Sequence, residues 1–86
     1  MIAEVETLAL RGSGSTDPVA LRRIETLVSR LKSYPRTADK PQSVLDWAKV
    51  LFSARKHRRY GGPDAVRRFI LHDCMSLREI IERKAG

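Results

Sequence analysis

The sequence predicts an all-α fold: a small bundle of four short helices, five when the N-terminal segment is counted, closing on a helix-turn-helix-like C-terminal pair. Three observations carry this reading. Apolar residues recur at intervals of three and four in successive windows, as the buried stripe of a helix requires. Residues that start and stop helices (Asp17-Pro18, the stretch from Tyr34 to Pro41, Gly61-Gly62-Pro63 and Ser76) fall between those windows. Period-two alternation, the mark of a strand, is limited to a weak alternative at residues 2–10.

Each element has its own justification. Ile2, Val5 and Leu8-Ala9 have helical spacing, and Arg11-Gly12-Ser13-Gly14-Ser15 has the composition of a flexible linker. Residues 1–16 are thus expected as a short helix on a loose tether, either an arm for a partner or partly disordered, ahead of a single helical domain at 17–86. Asp17 supplies a carboxylate for the free N–H groups of a first turn, and Pro18 occupies the position where no N–H is needed. Leu21, Ile24, Val28 and Leu31 then line one face of a helix reaching about Ser33. Self-association is an alternative way to cover that seam, so a homo-oligomer is among the expected partners. Pro35 and Pro41 mark a connection over 34–41.

From Gln42 or Ser43 onward, Val44/Leu45, Trp47/Ala48, Leu51/Phe52 and Ala54 give a wide apolar face, with Asp46 suited to the positive end of the helix. The run Arg55-Lys56-His57-Arg58-Arg59 is expected in the last turns of this same helix, before Gly61-Gly62-Pro63 ends it. Pro63 or Asp64 opens a helix of about three turns, with Ala65, Val66, Phe69, Ile70 and Cys74 on one face and Arg67 and Arg68 on the other. Trp47, Phe52 and Phe69 are spaced as core residues. Ser76-Leu77-Arg78-Glu79 matches a capping box, and Met75 with Ile80 makes a hydrophobic staple, so a last helix is expected from Leu77.

Composition narrows the function classes. Eighty-six residues make one small core. No apolar run approaches the ~20 residues of a membrane span, and Glu4 and Glu6 stand where a signal peptide has its basic flank and apolar stretch. A soluble, unprocessed, cytoplasmic protein is the expectation. The single cysteine, Cys74, excludes an internal disulfide, and His57 and His72 do not complete a zinc spacing, so no metal and no cofactor are expected. Successive residues on a helix point about 100° apart, so His72-Asp73-Cys74 cannot form a catalytic relay. Phosphate-binding loops and metalloprotease motifs are absent from the sequence, and no enzyme is expected.

The distinctive number is the net charge of +7. It is concentrated: residues 49–68 hold seven bases (Lys49, Arg55, Lys56, Arg58, Arg59, Arg67, Arg68) against Asp64 alone, whereas the remaining ten bases face nine acids. A local patch matters because charges are felt over about 8 Å at physiological salt. Nucleic-acid backbone is the expected partner of such a patch, and an acidic protein docked by a helical interaction module is the alternative. The residues at 63–85, read as helix, short turn and helix, resemble the general helix-turn-helix layout. That resemblance implies DNA rather than RNA, with Arg67 and Arg68 crossing phosphates and Ser76, Arg78, Glu79, Glu82 and Arg83 toward the major groove. The expected nucleic-acid-binding residues are therefore Arg55, Lys56, Arg58, Arg59, Arg67, Arg68, Arg78 and Arg83, acting by occupancy as a regulator or an accessory or packaging factor.

Overall fold

The computed structural model describes residues 1–11 and 17–85, without the side chains of Arg11, Ala54 and residues 82–85. The described residues form five α-helices and no strand: α1 (Ile2–Arg11), α2 (Pro18–Leu31), α3 (Lys40–Leu51), α4 (Ala54–His57) and α5 (Pro63–Ala85), with a 3₁₀ turn at Arg58–Tyr60 between the last two. The all-α small bundle is what the periodicity predicts. The Gly12–Ser15 linker lies outside the described residues.

Helix starts follow the local chemistry. Asp17 caps α2, its Oδ1 accepting from the Ala20 N–H at 3.1 Å, with Pro18 in the first turn. Asp39 stands at the start of α3 with Pro41 following, two to three residues before the expected start, and its carboxylate makes no capping hydrogen bond. Between α2 and α3 the chain turns through Arg36 and Ala38, both with positive φ (68° and 52°). The Thr37 hydroxyl, buried between them, donates to the Tyr34 carbonyl at 3.1 Å.

The segment expected as one helix over 42–59 is broken at Phe52–Ser53. Phe52 leaves the helical region, Ser53 is extended (φ −121°, ψ 108°), and the Ser53 carbonyl accepts from the N–H groups of Lys56 and His57 to start α4. The reason lies in the register. Val44, Ala48, Leu51 and Phe52 are buried on one face. An unbroken helix would carry Arg55, Arg58 and Arg59 onto the same face, three to eight residues on. Burying unpaired guanidinium groups is far more costly than one helix break. The break turns all three outward and brings His57, 6% exposed, inward. Tight closure follows: the Gly62 N–H donates to the His57 carbonyl at 2.9 Å. Gly61 and Gly62 have φ near +97° and +96°, values that side-chain-bearing residues adopt only with strain.

The second correction concerns the helix-turn-helix-like pair. α5 runs unbroken for 23 residues through Asp73-Cys74-Met75, about 34 Å at 1.5 Å per residue. Val66, Ile70, Cys74 and Leu77 are all buried at intervals of four, four and three, and Ile81 packs against the same core. A turn at Met75 would throw Leu77 out of that register. The stripe decides against the capping box, whose hydrogen bonds contribute only about 1 kcal/mol. Ser76 instead donates from Oγ to the His72 carbonyl one turn back, at 3.3 Å, and Met75 is 62% exposed, so no staple forms.

α3 and α5 form the most extensive helix pair. Asp73, buried on α5, joins them by accepting from the Ser43 hydroxyl and facing Lys40 Nζ at 3.7 Å. α1, expected as a loose arm, lies in the core: Val5 and Ala9 are fully buried, Ile2 and Leu8 nearly so, and the helix packs mainly on α5 and secondarily on α2. Phe52 is core as expected. Trp47 is half-buried, and Phe69 is 42% exposed, stacked on Trp47 instead of buried beneath it. No helix among the described residues is long and apolar enough to cross a membrane.

Candidate nucleic-acid interface

The eight cations expected to contact nucleic acid fall into three groups. Arg55 and Lys56 on α4, and Arg58 and Arg59 on the 3₁₀ turn, are exposed. None of the four makes an ion pair with a described residue. Their positions follow from the helix break, since a short helix and a 3₁₀ turn splay successive side chains around a tight coil and only His57 of the run points inward. Arg68 is exposed on the second turn of α5, and Lys49, exposed near the end of α3, adds to the same basic segment.

Arg67 and Arg78 are tied into the scaffold. Arg67 donates from Nε to the Ala9 carbonyl of α1 at 3.1 Å and from Nη1 to Asp64 at 2.6 Å. Arg78 pairs with Glu6 of α1. With Arg23 of α2, which donates to both carboxylate oxygens of Glu4, three arginines grip α1 from two neighbouring helices. The Arg23 hydrogen bonds hold the Glu4 carboxyl below its ordinary range, with the guanidinium charge acting in the same direction, and Glu4 raises Arg23 in turn. The side chain of Arg83, and that of Glu82, lie outside the described residues. With α5 continuous, no separate short helix presents Arg78 and Arg83 to a groove.

Next to the basic turn stands an aromatic group: Tyr60, at a helix end beside Gly61, is joined by Trp47 and Phe69, whose partial exposure the sequence spacing did not reveal. Trp47 meets Tyr60 edge to face, with centroids 5.0 Å apart and planes at 89°, and meets Phe69 on another side at 4.7 Å and 35°. Tyr60 is 47% exposed. Rings and cations thus alternate along the chain as Arg59-Tyr60 and Arg68-Phe69.

Two groups that could carry chemistry are enclosed. Cys74 is buried, and desolvation pushes its thiol up to about 12, with the charges of Glu6 and Asp73 adding to the rise. A thiol held in that form is a poor nucleophile. His57 is buried with neither ring nitrogen hydrogen-bonded to a described residue. Clusters of three or more His, Cys, Asp or Glu side chains able to hold a metal do not occur among the described residues. No protein-family model matches the chain, and no curated protein and no solved structure matches it either, so the reading of its function rests on this geometry.

Proposed function

We propose that this chain is a small non-enzymatic nucleic-acid-binding protein, acting by occupancy through the basic turn at residues 55–59. The supporting observation is that Arg55, Lys56, Arg58 and Arg59 are exposed together on one tight turn without ion pairs to described residues, while Arg23, Arg67 and Arg78 are engaged by acids. Arg68 extends the contact along α5. Guanidinium groups match phosphate with two parallel hydrogen bonds, and arginine supplies four of these five side chains. The case for duplex DNA over RNA drew on a separate C-terminal reading helix, and α5 is one helix, so the reading is of backbone phosphates without base selection.

The test is a fluorescence-anisotropy titration of labelled duplex DNA, single-stranded DNA and RNA at several salt concentrations, with the solution mass measured alongside. Five phosphate contacts give a slope of log K against log salt of about −4.5 on duplex DNA and about −3.5 on single strands. Binding that does not respond to salt, or none at about 50 mM salt, overturns the proposal. An acidic protein docked on the same turn is the reading that stands if all three nucleic acids fail to bind.

A further inference from the structure

We infer that the corner between Trp47 and Tyr60 is a binding site for a compact, weakly hydrated organic cation, of the methylated-ammonium or guanidinium type. The site does not depend on the nucleic-acid reading and uses none of the basic turn's cations. The two rings stand at right angles with centroids 5.0 Å apart, forming two walls of a cleft of about 380 Å³. Val50 lines it on the apolar side, and Asp39 and Asp46 are the charged groups among its described lining residues. No Lys or Arg among the described residues lines it, in a chain with 17 basic and 10 acidic residues.

Those two carboxylates are otherwise uncommitted to cations. Asp39 sits at the start of α3 yet makes no capping hydrogen bond. Asp46 accepts from the Gln42 side chain at 2.9 Å. Neither makes an ion pair with a described residue. In a protein with so large a surplus of cations, two carboxylates left beside an aromatic corner favour a positive guest from outside.

The chemistry of the walls selects among cations. The faces of Trp and Tyr attract positive charge through their quadrupoles, Trp most strongly, and the attraction grows as the cation sheds water. A methylated ammonium or a guanidinium gives up its hydration readily; a hard metal ion does not, and two exposed carboxylates do not form the oxygen cage that calcium or magnesium needs. An anion is repelled by the two aspartates. The guest has one chemistry whether it arrives as a free small molecule or as a side chain of a peptide.

Trp47 is the sole tryptophan, so intrinsic fluorescence reads this corner directly in the full chain. Choline chloride is titrated against 3,3-dimethylbutanol, its uncharged carbon analogue, with sodium chloride at matched ionic strength as the reference. The expected result is a saturable change with choline, its midpoint at about 1–10 mM and about tenfold below that of the uncharged analogue. Asp46→Asn, which keeps the side-chain shape, raises the choline midpoint by about two- to fivefold. Tyr60→Leu, which keeps an apolar wall without a π face, removes the preference for choline over the uncharged analogue. Equal midpoints for choline and its analogue in the unaltered protein overturn the inference, as does a response matching that of sodium chloride. An N-methylated-lysine peptide and its unmethylated twin, run in the same assay, separate a peptide source from a free metabolite: tighter binding of the methylated peptide than of choline assigns the site to a side chain, and the reverse assigns it to a small molecule.

Discussion

Arginines on two sides of this molecule have opposite fates. Around α1, Arg23, Arg67 and Arg78 reach Glu4, the Ala9 carbonyl and Glu6, and hold the helix against α2 and α5. On the turn at 55–59, Arg55, Arg58 and Arg59 point into solvent with no described anion in reach. Residue type is the same on both sides; what differs is the presence of a carboxylate or carbonyl of the scaffold as a partner. The lesson is that a basic run becomes a surface for a partner only where the fold supplies no internal anion, and that information lies in tertiary pairing.

The largest effect that separates the two regions is in the core. Leu77→Ala removes a fully buried side chain from the stripe of α5 and is expected to lower stability by about 2–5 kcal/mol, read as the urea midpoint. Nucleic-acid affinity per folded molecule is unchanged. The converse comes from Arg58→Gln combined with Arg59→Gln, which leaves the stability read from urea unfolding within about 0.5 kcal/mol of the parent. It makes the salt slope less steep by about two, one for each phosphate contact. If the double variant unfolds as readily as Leu77→Ala, the turn belongs to the scaffold and the contrast fails.

His57 tests the boundary between the regions, since it lies in the basic run yet faces inward. Two buried ring nitrogens without described partners cost about 1–3 kcal/mol in desolvation. His57→Leu is therefore expected to raise the stability read from urea unfolding by about 1 kcal/mol and leave the salt slope unchanged. Smaller still is Arg78→Met, which loses a partly exposed ion pair worth about 0.5–1 kcal/mol and leaves binding intact. A greater loss of affinity from Arg78→Met than from Arg58→Gln would reverse the assignment of the two regions.

The smallest effect is in pH. The Glu4 carboxyl is held below its ordinary value by Arg23, so the folded state favours its ionised form. Its contribution is fully present above the ordinary carboxylate value and disappears as pH falls through the lowered folded value. Glu4→Gln should remove that portion of the acid sensitivity, seen as a flatter stability profile below about pH 4.5.

Local chemistry made part of this legible. Asp17-Pro18 fixes the start of α2, Gly61-Gly62-Pro63 separates the basic turn from α5, and the stripe of α2 reads from Leu21, Ile24, Val28 and Leu31, of which Leu21 is only partly buried. The two misplaced boundaries share a cause. Ser53 and Ser76 are both residues that cap helices well; the spacing of 42–59 gives Ser53 no such role, and the capping-box pattern gives one to Ser76. Ser53 becomes a break because the face of α3 would otherwise bury arginines, and Ser76 does not because the face of α5 continues through it. Exposure of Arg55, Lys56, Arg58 and Arg59 was legible as a charge run. The engagement of Arg67 and Arg78 was not, because their partners on α1 lie 58 and 72 residues away. Phe69 was assigned to the core by spacing alone, whereas its stacking on Trp47 depends on how α3 crosses α5.

Cys74 gives the molecule a built-in clock. Its thiol sits at the centre of α5, and burial holds it protonated far above neutrality. The same group in an opened chain ionises near 8.5. Alkylation at pH 8 therefore proceeds only through openings that lift α5 from α3 and α1, and with fast reclosing its rate measures the free energy of that opening. The native chain thus reports how α5 breathes without a label or a substitution. Adding nucleic acid to the basic turn, or an organic cation to the aromatic corner, would slow the clock by the amount that each ligand stabilises the closed bundle.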